Sequence, residues 1–241
     1  MQGRGSANRD DPRVKRVAVL SDVHGNLPAL EAVLAEVEAD AIVCCGDVAL
    51  GGMPAEALAR MHEAGALFVR GNCDRDPGDW VRAQLAAEEV DFLEALPLTI
   101  ELEVDGLGRV LFCHATPRSD EEIFTRLTPE DELAEILGDT DADLVVCGHT
   151  HVQVDRRVGE TRVVNAGSVG MPYEGRPGAF WLLLGPDVEH RRTEYDTVAA
   201  ADAIERSGHP SAEDFAGYLR EPKDPDEVSR YFESLRDSAS P

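Results

Sequence analysis

Apolar runs and amphipathic stretches alternate along the first hundred residues of the chain. The short runs predict buried strands at 16–21, 41–46 and 66–70. The stretches between and after them repeat apolar residues at helical spacing, and they predict helices at 27–37, 54–64 and 79–96. In the first helix Leu27, Leu30 and Leu34 share a face, and Pro28 suits the first turn. Buried strands alternating with helices predict a mainly parallel sheet covered by helices.

The pattern changes after residue 97. Residues 98–104 alternate apolar and polar positions, a glycine-containing turn follows, and 109–113 returns, which is typical of a hairpin. Next, 129–137 predicts a short helix and 144–147 predicts a strand. A run of mostly antiparallel strands is predicted at 152–158, 162–165, 179–184 and 188–195. The last part of the chain predicts helices within 197–219 and 226–235.

The chain is strongly acidic, with 47 acidic and 23 basic residues among 241 and a net charge of −24. This excess argues against nucleic-acid binding, which requires clustered Lys and Arg. No apolar run approaches the ~20 residues of a membrane span, and the polar N-terminus is no secretory signal. Five cysteines without zinc-finger spacing suit a reducing compartment. We therefore expect a cytoplasmic protein with no membrane contact and a flexible leader over 1–14.

Polar side chains that can bind metal follow each of five predicted strands. In chain order they are Asp22 and His24, Asp47, Asn72 and Asp74, His114, and His149 and His151. Function gathers at the carboxyl ends of strands in open α/β sheets. Mixed carboxylate, amide and imidazole ligands suit borderline divalent metals, here manganese, iron, cobalt, nickel or zinc. Seven ligands (all of these except Asp74) exceed the needs of one ion and suit two ions that share a carboxylate.

Each of these residues also has a purely structural interpretation. Asp47 could cap a helix, Asn72 could build a turn, and His114 could be a satisfied core histidine. Asn26 is either a hydrogen-bond donor to substrate or the N-cap of the helix that follows it. Asp74 either orients a neighbouring residue or caps the next turn. The coincidence of five strand ends favours the metal interpretation for the set as a whole.

The motifs resemble those of the calcineurin-like metallophosphoesterases, especially the compact bacterial and archaeal phosphodiesterase branch. They are Asp22-Val23-His24, Gly46-Asp47, Gly71-Asn72-Cys73-Asp74, His114 and Gly148-His149-Thr150-His151, with Asn165-Ala166-Gly167-Ser168 further on. The resemblance implies an α/β fold, a four-layer α-β-β-α sandwich of two mixed sheets flanked by helices. It implies a metallophosphoesterase domain over 15–196, and we expect a helical extension over 197–241 packed on or beside it.

The resemblance also implies a division of the ligands between two divalent ions, with manganese the first choice. Asp22, His24 and His151 would bind one ion, Asn72, His114 and His149 the other, and Asp47 would bridge them. A hydroxide held between the ions would attack phosphorus in line. Catalytic roles would then fall on Asp47, Asn72, His114, Asn26 and Asp74.

One residue departs from the family pattern. Many members carry His after the motif Asn, where it assists the leaving group, and this chain has Cys73. A thiol with a reference pKa of about 8.5 is a poor replacement. The departure puts efficient hydrolysis of esters with poor leaving groups in doubt.

We therefore expect a phosphodiesterase acting on a small phosphoester or nucleotide. The alternatives are a phosphomonoesterase, a dinucleoside polyphosphate hydrolase, and a metal-free interaction scaffold that retains the fold. A homo-oligomer is compatible with the acidic C-terminal helices.

Overall fold

A computed structural model describes residues 14–239, so the leader predicted over 1–14 lies almost entirely outside the described residues. The first sheet is built around β1 (Val17–Leu20), whose four residues are all buried. It pairs in parallel with β2 (Ala41–Cys44), which pairs in parallel with β3 (Leu67–Phe68). On its other side β1 pairs antiparallel with β9 (Ala179–Leu184), which is followed by the edge strand β10 (Val188–Thr193). The sheet is therefore mixed.

The second sheet has the order β4-β5-β6-β8-β7. Its strands are β4 (Thr99–Val104), β5 (Gly108–Cys113), β6 (Leu144–Cys147), β7 (Val154–Val158) and β8 (Thr161–Asn165). The predicted hairpin is present, since β4 pairs antiparallel with β5. At its centre, β6 pairs in parallel with both β5 and β8.

The four strands predicted as one antiparallel run are divided between the two sheets. The β7–β8 and β9–β10 pairs are antiparallel, as predicted, but β9 and β10 lie in the first sheet beside β1. The apolar pattern marks β9 as a strand without naming its partner. All six residues of β9 are buried, which suits an interior position beside β1 rather than the edge of the second sheet.

Most helices in the described range lie near their predicted bounds, with two breaks, but the short helix Asn72–Arg75 matches no predicted helix and the last helix extends to Ala239. They are α1 (Leu27–Glu36), α2 (Pro54–Glu63), α3 (Asn72–Arg75), α4 (Gly78–Arg82), α5 (Ala87–Glu94), α6 (Glu130–Leu137), α7 (Thr197–Glu205), α8 (Ala212–Arg220) and α9 (Pro225–Ala239). The single helix predicted over 79–96 is wrong, because the chain breaks between α4 and α5, where Leu85 turns into the core and Glu89 caps the Ala86 N–H at 2.7 Å. The break between α7 and α8 contains Gly208 at φ +81° and Pro210.

The core fills three interfaces, and this makes four layers. Alternate residues of β1 face opposite sides: Val17 and Val19 pack against the second sheet, while Ala18 and Leu20 pack under α1 and α2. On the outer face of the second sheet, Leu133, Ile136 and Leu137 of α6 cover Val145 and Val163. The α-β-β-α sandwich implied by the resemblance is thus confirmed. In the described range, no helix is both long enough and apolar enough to cross a membrane.

Candidate metal centre

The loops that follow β1, β2, β5 and β6 meet at one end of the sandwich. Backbone hydrogen bonds hold them together: the Asp22 N–H donates to Gly46 O at 3.0 Å, and the His24 N–H donates to Asp47 O at 3.0 Å. The Gly148 N–H donates to His114 O at 2.8 Å. These bonds bring together side chains that are distant in the sequence, such as His24 and His151, which are 127 positions apart.

The backbone is strained at five of the predicted ligands. Among the described residues other than glycine, positive φ angles occur at Asp22 (53°), His24 (46°), Asp47 (55°), His149 (69°) and His151 (57°). Residues with a Cβ adopt this region rarely and at a cost of roughly 1–3 kcal/mol each, and such strain persists where the surrounding structure over-determines the conformation. The concentration of strain at these positions marks this end of the sandwich as the functional one.

The first group of donors consists of Asp22, His24 and His151, whose ligand atoms lie within 4.8 Å of one another. The Nδ1 atom of His24 bonds to Leu50 O at 3.1 Å, and that of His151 bonds to Met171 O at 2.7 Å. A carbonyl oxygen only accepts, so Nδ1 carries the proton in both rings. Both Nε2 atoms therefore turn lone pairs toward each other across 3.1 Å.

Asp22 Oδ1 adds a third lone pair to this group. It lies 3.1 Å from Nε2 of His151 and 3.8 Å from Nε2 of His24. It is buried and has no hydrogen-bond donor among the described residues. Three acceptors that face one another without a donor repel, and a cation between them removes the repulsion.

The second group is arranged in the same way around His114. Its Nδ1 donates to Cys45 O at 2.6 Å, so its Nε2 faces Asn72 Oδ1 at 3.1 Å and Asp47 Oδ2 at 3.4 Å. Asp47 Oδ2 also lies 3.8 Å from Nε2 of His24. Asp47 thus stands between the two groups, as a bridging ligand must.

His149 is the one predicted ligand that stands apart. Among the described residues it joins no group of three His, Cys, Asp or Glu donor atoms within 4.8 Å. Its ring lies 5.0 Å from that of His114, centroid to centroid, and its backbone N–H donates to Asp22 Oδ2 at 3.0 Å. His149 therefore lies beside the second group, but its donor atom does not come within 4.8 Å of both the His114 and the Asp47 donor atoms.

The histidine rings of the centre differ in protonation state. Burial, and after it the neighbouring His151 ring, lowers the pKa of His24, and burial and His114 lower the pKa of His149 to about 4, so His24 and His149 are neutral at pH 7. Burial by itself would raise the pKa of Asp47, but the His114 and His24 rings hold it below its usual range. Burial would lower the pKa of His114, and Asp47 instead raises it to about 10. Without metal, Nε2 of His114 therefore carries a proton at pH 7, and a cation bound among these acceptors would displace that proton.

Asp74 acts on backbone atoms rather than at the centre itself. Its buried carboxylate accepts from the Asp47 N–H at 2.7 Å, the Gly71 N–H at 2.9 Å and the Val48 N–H at 3.1 Å. Burial and the charge of Asp47 raise its pKa to about 7. Both structural interpretations hold together: Asp74 orients the strained Asp47 backbone and caps α3.

The assignment of Asn26 as a donor to substrate needs correction. Its Oδ1 accepts from the Ala29 N–H at 3.2 Å, which makes it the N-cap of α1. Its Nδ2 donates to Gly170 O at 2.9 Å and to the Tyr195 hydroxyl at 3.3 Å. The side chain is fully buried, and both amide protons are used inside the protein, so none is left for a substrate.

Three supporting residues carry roles that sequence reasoning did not assign. Ser21 Oγ donates to Asp22 Oδ2 at 2.6 Å, and Ser168 Oγ donates to Asp22 O at 2.8 Å. Asn165 donates to the Gly148 carbonyl and to Thr150 Oγ1. The motif around Asn165 was the available signal, but its partners are distant in sequence. Together these bonds fix the loops that carry Asp22, His149 and His151.

Cys73 lies at the edge of the centre. Its Sγ is within 4.8 Å of the donor atoms of His24 and Asp47, and it accepts from Asn72 Nδ2 at 3.3 Å. Its backbone N–H donates to Asp47 Oδ1 at 2.9 Å. Burial and the charge of Asp47 raise the pKa of the thiol, so Cys73 remains protonated at neutral pH.

Comparison with known proteins agrees with this geometry. The calcineurin-like phosphoesterase superfamily domain matches residues 16–184. The protein MJ0912 of Methanocaldococcus jannaschii is 30% identical over 232 residues, covering 80% of this chain and 93% of that protein. Phosphodiesterase YfcE of Escherichia coli K12 is 31% identical over 180 residues, covering 68% and 84%.

A solved structure agrees as well. The metallophosphoesterase from Sphaerobacter thermophilus superposes with a TM-score of 0.72 at 27% identity, covering 87% of this chain and all of that one. The matched family domain spans most of the chain and includes every strand end that carries a predicted ligand. The chain therefore belongs to the calcineurin-like phosphoesterase superfamily.

Proposed function

We propose that this protein is a metal-dependent phosphodiesterase that hydrolyses small or nucleotide phosphodiesters at a centre of two divalent ions, manganese being the first choice. The observation that carries the proposal is the pair of acceptor clusters described above. In each cluster, histidine Nε2 atoms face carboxylate or amide oxygens at 3.1–3.8 Å, with the Nδ1 protons of these histidines held by backbone carbonyls. Cations satisfy such clusters, and turns or helix caps do not need them.

The residues divide as two ligand sets around one shared carboxylate. Asp22, His24 and His151 would hold one ion, and Asn72, His114 and His149 the other, with Asp47 between them. Among these seven ligands only the two aspartates are negative, so two dications leave a net positive charge that faces an anionic phosphate. When bound, the two ions would supply stabilisation of the phosphate oxygens and a lowered pKa for attacking water.

Groups of the chain itself hold the ligand side chains in position. The backbone carbonyls of Leu50, Met171 and Cys45 lock the three histidine rings, so the donor atoms are in place before ions arrive. Asp74 holds the Asp47 backbone, and Ser21 orients the Asp22 carboxylate. The Cys73 thiol, kept protonated by burial, is not suited to covalent attack, which favours direct attack by water.

The diester preference is supported by the relative named a phosphodiesterase, which is 31% identical over 180 residues. The test measures bound metal and hydrolysis together. Protein stripped with EDTA and reloaded with Mn²⁺ is expected to bind two ions per chain and to hydrolyse bis(4-nitrophenyl) phosphate faster than 4-nitrophenyl phosphate. Asp47→Asn is expected to lower both the metal content and the turnover.

The matched control is Asp141→Asn, because the Asp141 side chain is 84% exposed and lies on the surface. It is expected to leave both measurements unchanged. Less than one ion per chain without hydrolysis would favour the scaffold interpretation. A strong monoester preference would replace the phosphodiesterase by a phosphomonoesterase.

A further inference from the structure

We infer that an aromatic pocket beside the metal centre, built mainly by α8 and α9, binds the nucleobase of a nucleotide phosphodiester. The inference rests on the proposed function and names the substrate class for it. The pocket has a volume of about 360 Å³ and is lined by Tyr173, Tyr218, Lys223, Glu227, Tyr231 and Phe232, with Val228 between them. All of these except Tyr173 lie beyond residue 184, where the match to the family domain ends.

Two lining residues of the pocket contact histidines of the metal centre. The ring of Tyr173 stacks on His151, with centroids 4.9 Å apart and planes 19° from parallel. The ring of Phe232 lies 6.4 Å from that of His149. A phosphoester held at the histidines would therefore have one of its organic groups directed at the aromatic side chains.

The rings offer both faces and edges to a flat ligand. Tyr173 and Tyr218 meet at 72° with centroids 5.5 Å apart, and Tyr231 and Phe232 meet at 59° at 6.0 Å. Aromatic side chains arranged in this way stack on nucleobases and contact them edge to face, whatever the base. Tyr231 is 61% exposed, so its ring is accessible to a ligand in the pocket.

The charges in the pocket separate the base from the phosphate. Lys223, one of the chain's two lysines, lies 5.9 Å from the Tyr218 ring centroid, and Glu227 lies in the same lining. One positive and one negative side chain give the pocket no net attraction for an anion. The uncharged ring of a nucleotide suits the pocket, and the phosphate suits the adjoining centre with its excess of cationic charge.

The wall formed by α9 is anchored to the loops that follow β5. Glu233 accepts from Thr125 Oγ1 at 2.6 Å and from Thr128 Oγ1, and Arg126 pairs with Asp226. Arg236 pairs with Glu132 of α6. The pocket is therefore a built part of the domain and not the chance approach of a loose tail.

The test compares two diesters with the same leaving group and charge, thymidine 5′-(4-nitrophenyl phosphate) and methyl 4-nitrophenyl phosphate. The manganese-loaded wild-type protein is expected to show a kcat/KM ratio of at least about tenfold in favour of the nucleoside ester. Tyr231→Ala and Phe232→Ala are expected to lower that ratio at least threefold. Val198→Ala, at a 63% exposed position on α7 outside the pocket, is the control that keeps the ratio.

The outcomes separate this inference from the proposed function. Hydrolysis of both esters with a kcat/KM ratio near one would overturn nucleobase binding in the pocket and would still support the phosphodiesterase activity. A decyl ester preferred over the nucleoside ester would make the occupant an alkyl chain and would equally overturn the inference.

If neither ester is hydrolysed, the proposed function fails and binding alone decides about the pocket. Saturation-transfer NMR with thymidine 5′-monophosphate and metal-free protein is then expected to show contacts at the base protons. Loss of those contacts in Tyr231→Ala supports the pocket. Their absence in the wild-type protein, or their persistence in the variant, overturns it.

Discussion

His24 and His151 face each other through their Nε2 atoms, which lie 3.1 Å apart although the residues are 127 positions apart in the chain. Each ring is held from behind by a backbone carbonyl that fixes the proton on Nδ1. The contact is therefore between two lone pairs, and it is unfavourable until a cation or a proton enters. A bound metal ion would remove the electrostatic repulsion between these two nitrogen atoms.

Metal should consequently stabilise the folded protein. At a free Mn²⁺ concentration roughly 100 times its Kd, one bound ion adds about 2.7 kcal/mol to the free energy of unfolding. For a chain of this size we expect a rise in Tm of roughly 5–10 °C between EDTA and Mn²⁺. Differential scanning calorimetry at constant ionic strength measures it.

The variant that tests the pair is His151→Ala, which should lose at least half of the Mn²⁺-dependent rise in Tm. The control is His190→Ala on β10, an exposed histidine away from the centre, which should keep the full rise. An undiminished rise in His151→Ala would contradict the assignment of His151 as a ligand.

Gly71 is required because of the space it leaves for Asp47. A Cβ at this position would lie 2.1 Å from Asp47 Oδ1 and 2.5 Å from the Asp47 N atom. The φ angle of Gly71 is −90°, so the constraint comes from close approach and not from backbone conformation. Gly71→Ala should displace Asp47 and lower bound manganese at least threefold, as measured by inductively coupled plasma mass spectrometry.

Gly217 is the matched control for that substitution. It lies within α8, and a Cβ there would meet no atom within 4 Å. Gly217→Ala should leave the metal content unchanged and raise the free energy of unfolding by up to about 1 kcal/mol, because alanine is the better helix former. Equal metal content in Gly71→Ala and Gly217→Ala would show that the position of Asp47 does not depend on the space left by Gly71.

Cys73 should make the rate depend steeply on the leaving group. Its thiol keeps its proton and is a weak acid, so it cannot help an alkoxide to leave. Across aryl phosphodiesters of rising phenol pKa, log kcat should fall steeply for the wild-type protein and for Cys73→Ser alike. Cys73→His should flatten this slope and raise the rate for the poorest leaving group at least about tenfold.

A slope that is shallow in the wild-type protein would mean that another group protonates the leaving oxygen. A slope that is steep in Cys73→His would mean that the imidazole at position 73 does not reach it. Metal content measured on each variant separates these cases from loss of the centre.

Glu233 should make the docking of α9 depend on pH. Burial by itself raises its pKa, but hydrogen bonds from Thr125, Thr128 and Arg236 outweigh it and lower the pKa below the ordinary 4.5. A carboxyl whose pKa falls on folding stabilises the folded state above its unfolded pKa, and this contribution disappears as pH falls through the folded value. Measured relative to the intrinsic exchange rate at each pH, amide hydrogen exchange across α9 should therefore accelerate below about pH 4.5.

Glu233→Gln should show the accelerated exchange already at pH 7, corresponding to a loss of about 1–2 kcal/mol of local stability. Glu213→Gln, at an exposed position on α8, should exchange like the wild-type protein. If α9 in Glu233→Gln stays as protected as in the wild-type protein at pH 7, other contacts hold the helix in place.

The strand ends and the ligands that follow them can be recognised in the sequence without the fold. Local periodicity marks β1, β2 and β6, and glycines beside Asp47, Asn72 and His149 mark turns, so both signals are readable without the fold. The motifs around these residues identify the family, and membership of the family implies the four-layer architecture. Seven candidate ligands are therefore predictable from short stretches alone.

Which distant groups meet depends on how the whole chain packs. The sequence of β9 does not indicate that it pairs with β1, because strand pairing depends on packing across the whole core. Gly170 and Tyr195 take both amide protons of Asn26 and so exclude it as a donor to substrate, and the strained φ angles depend on hydrogen bonds between distant loops. The pocket of Tyr173 and Tyr231 joins two segments that no local pattern connects, because its contacts form only when α9 docks.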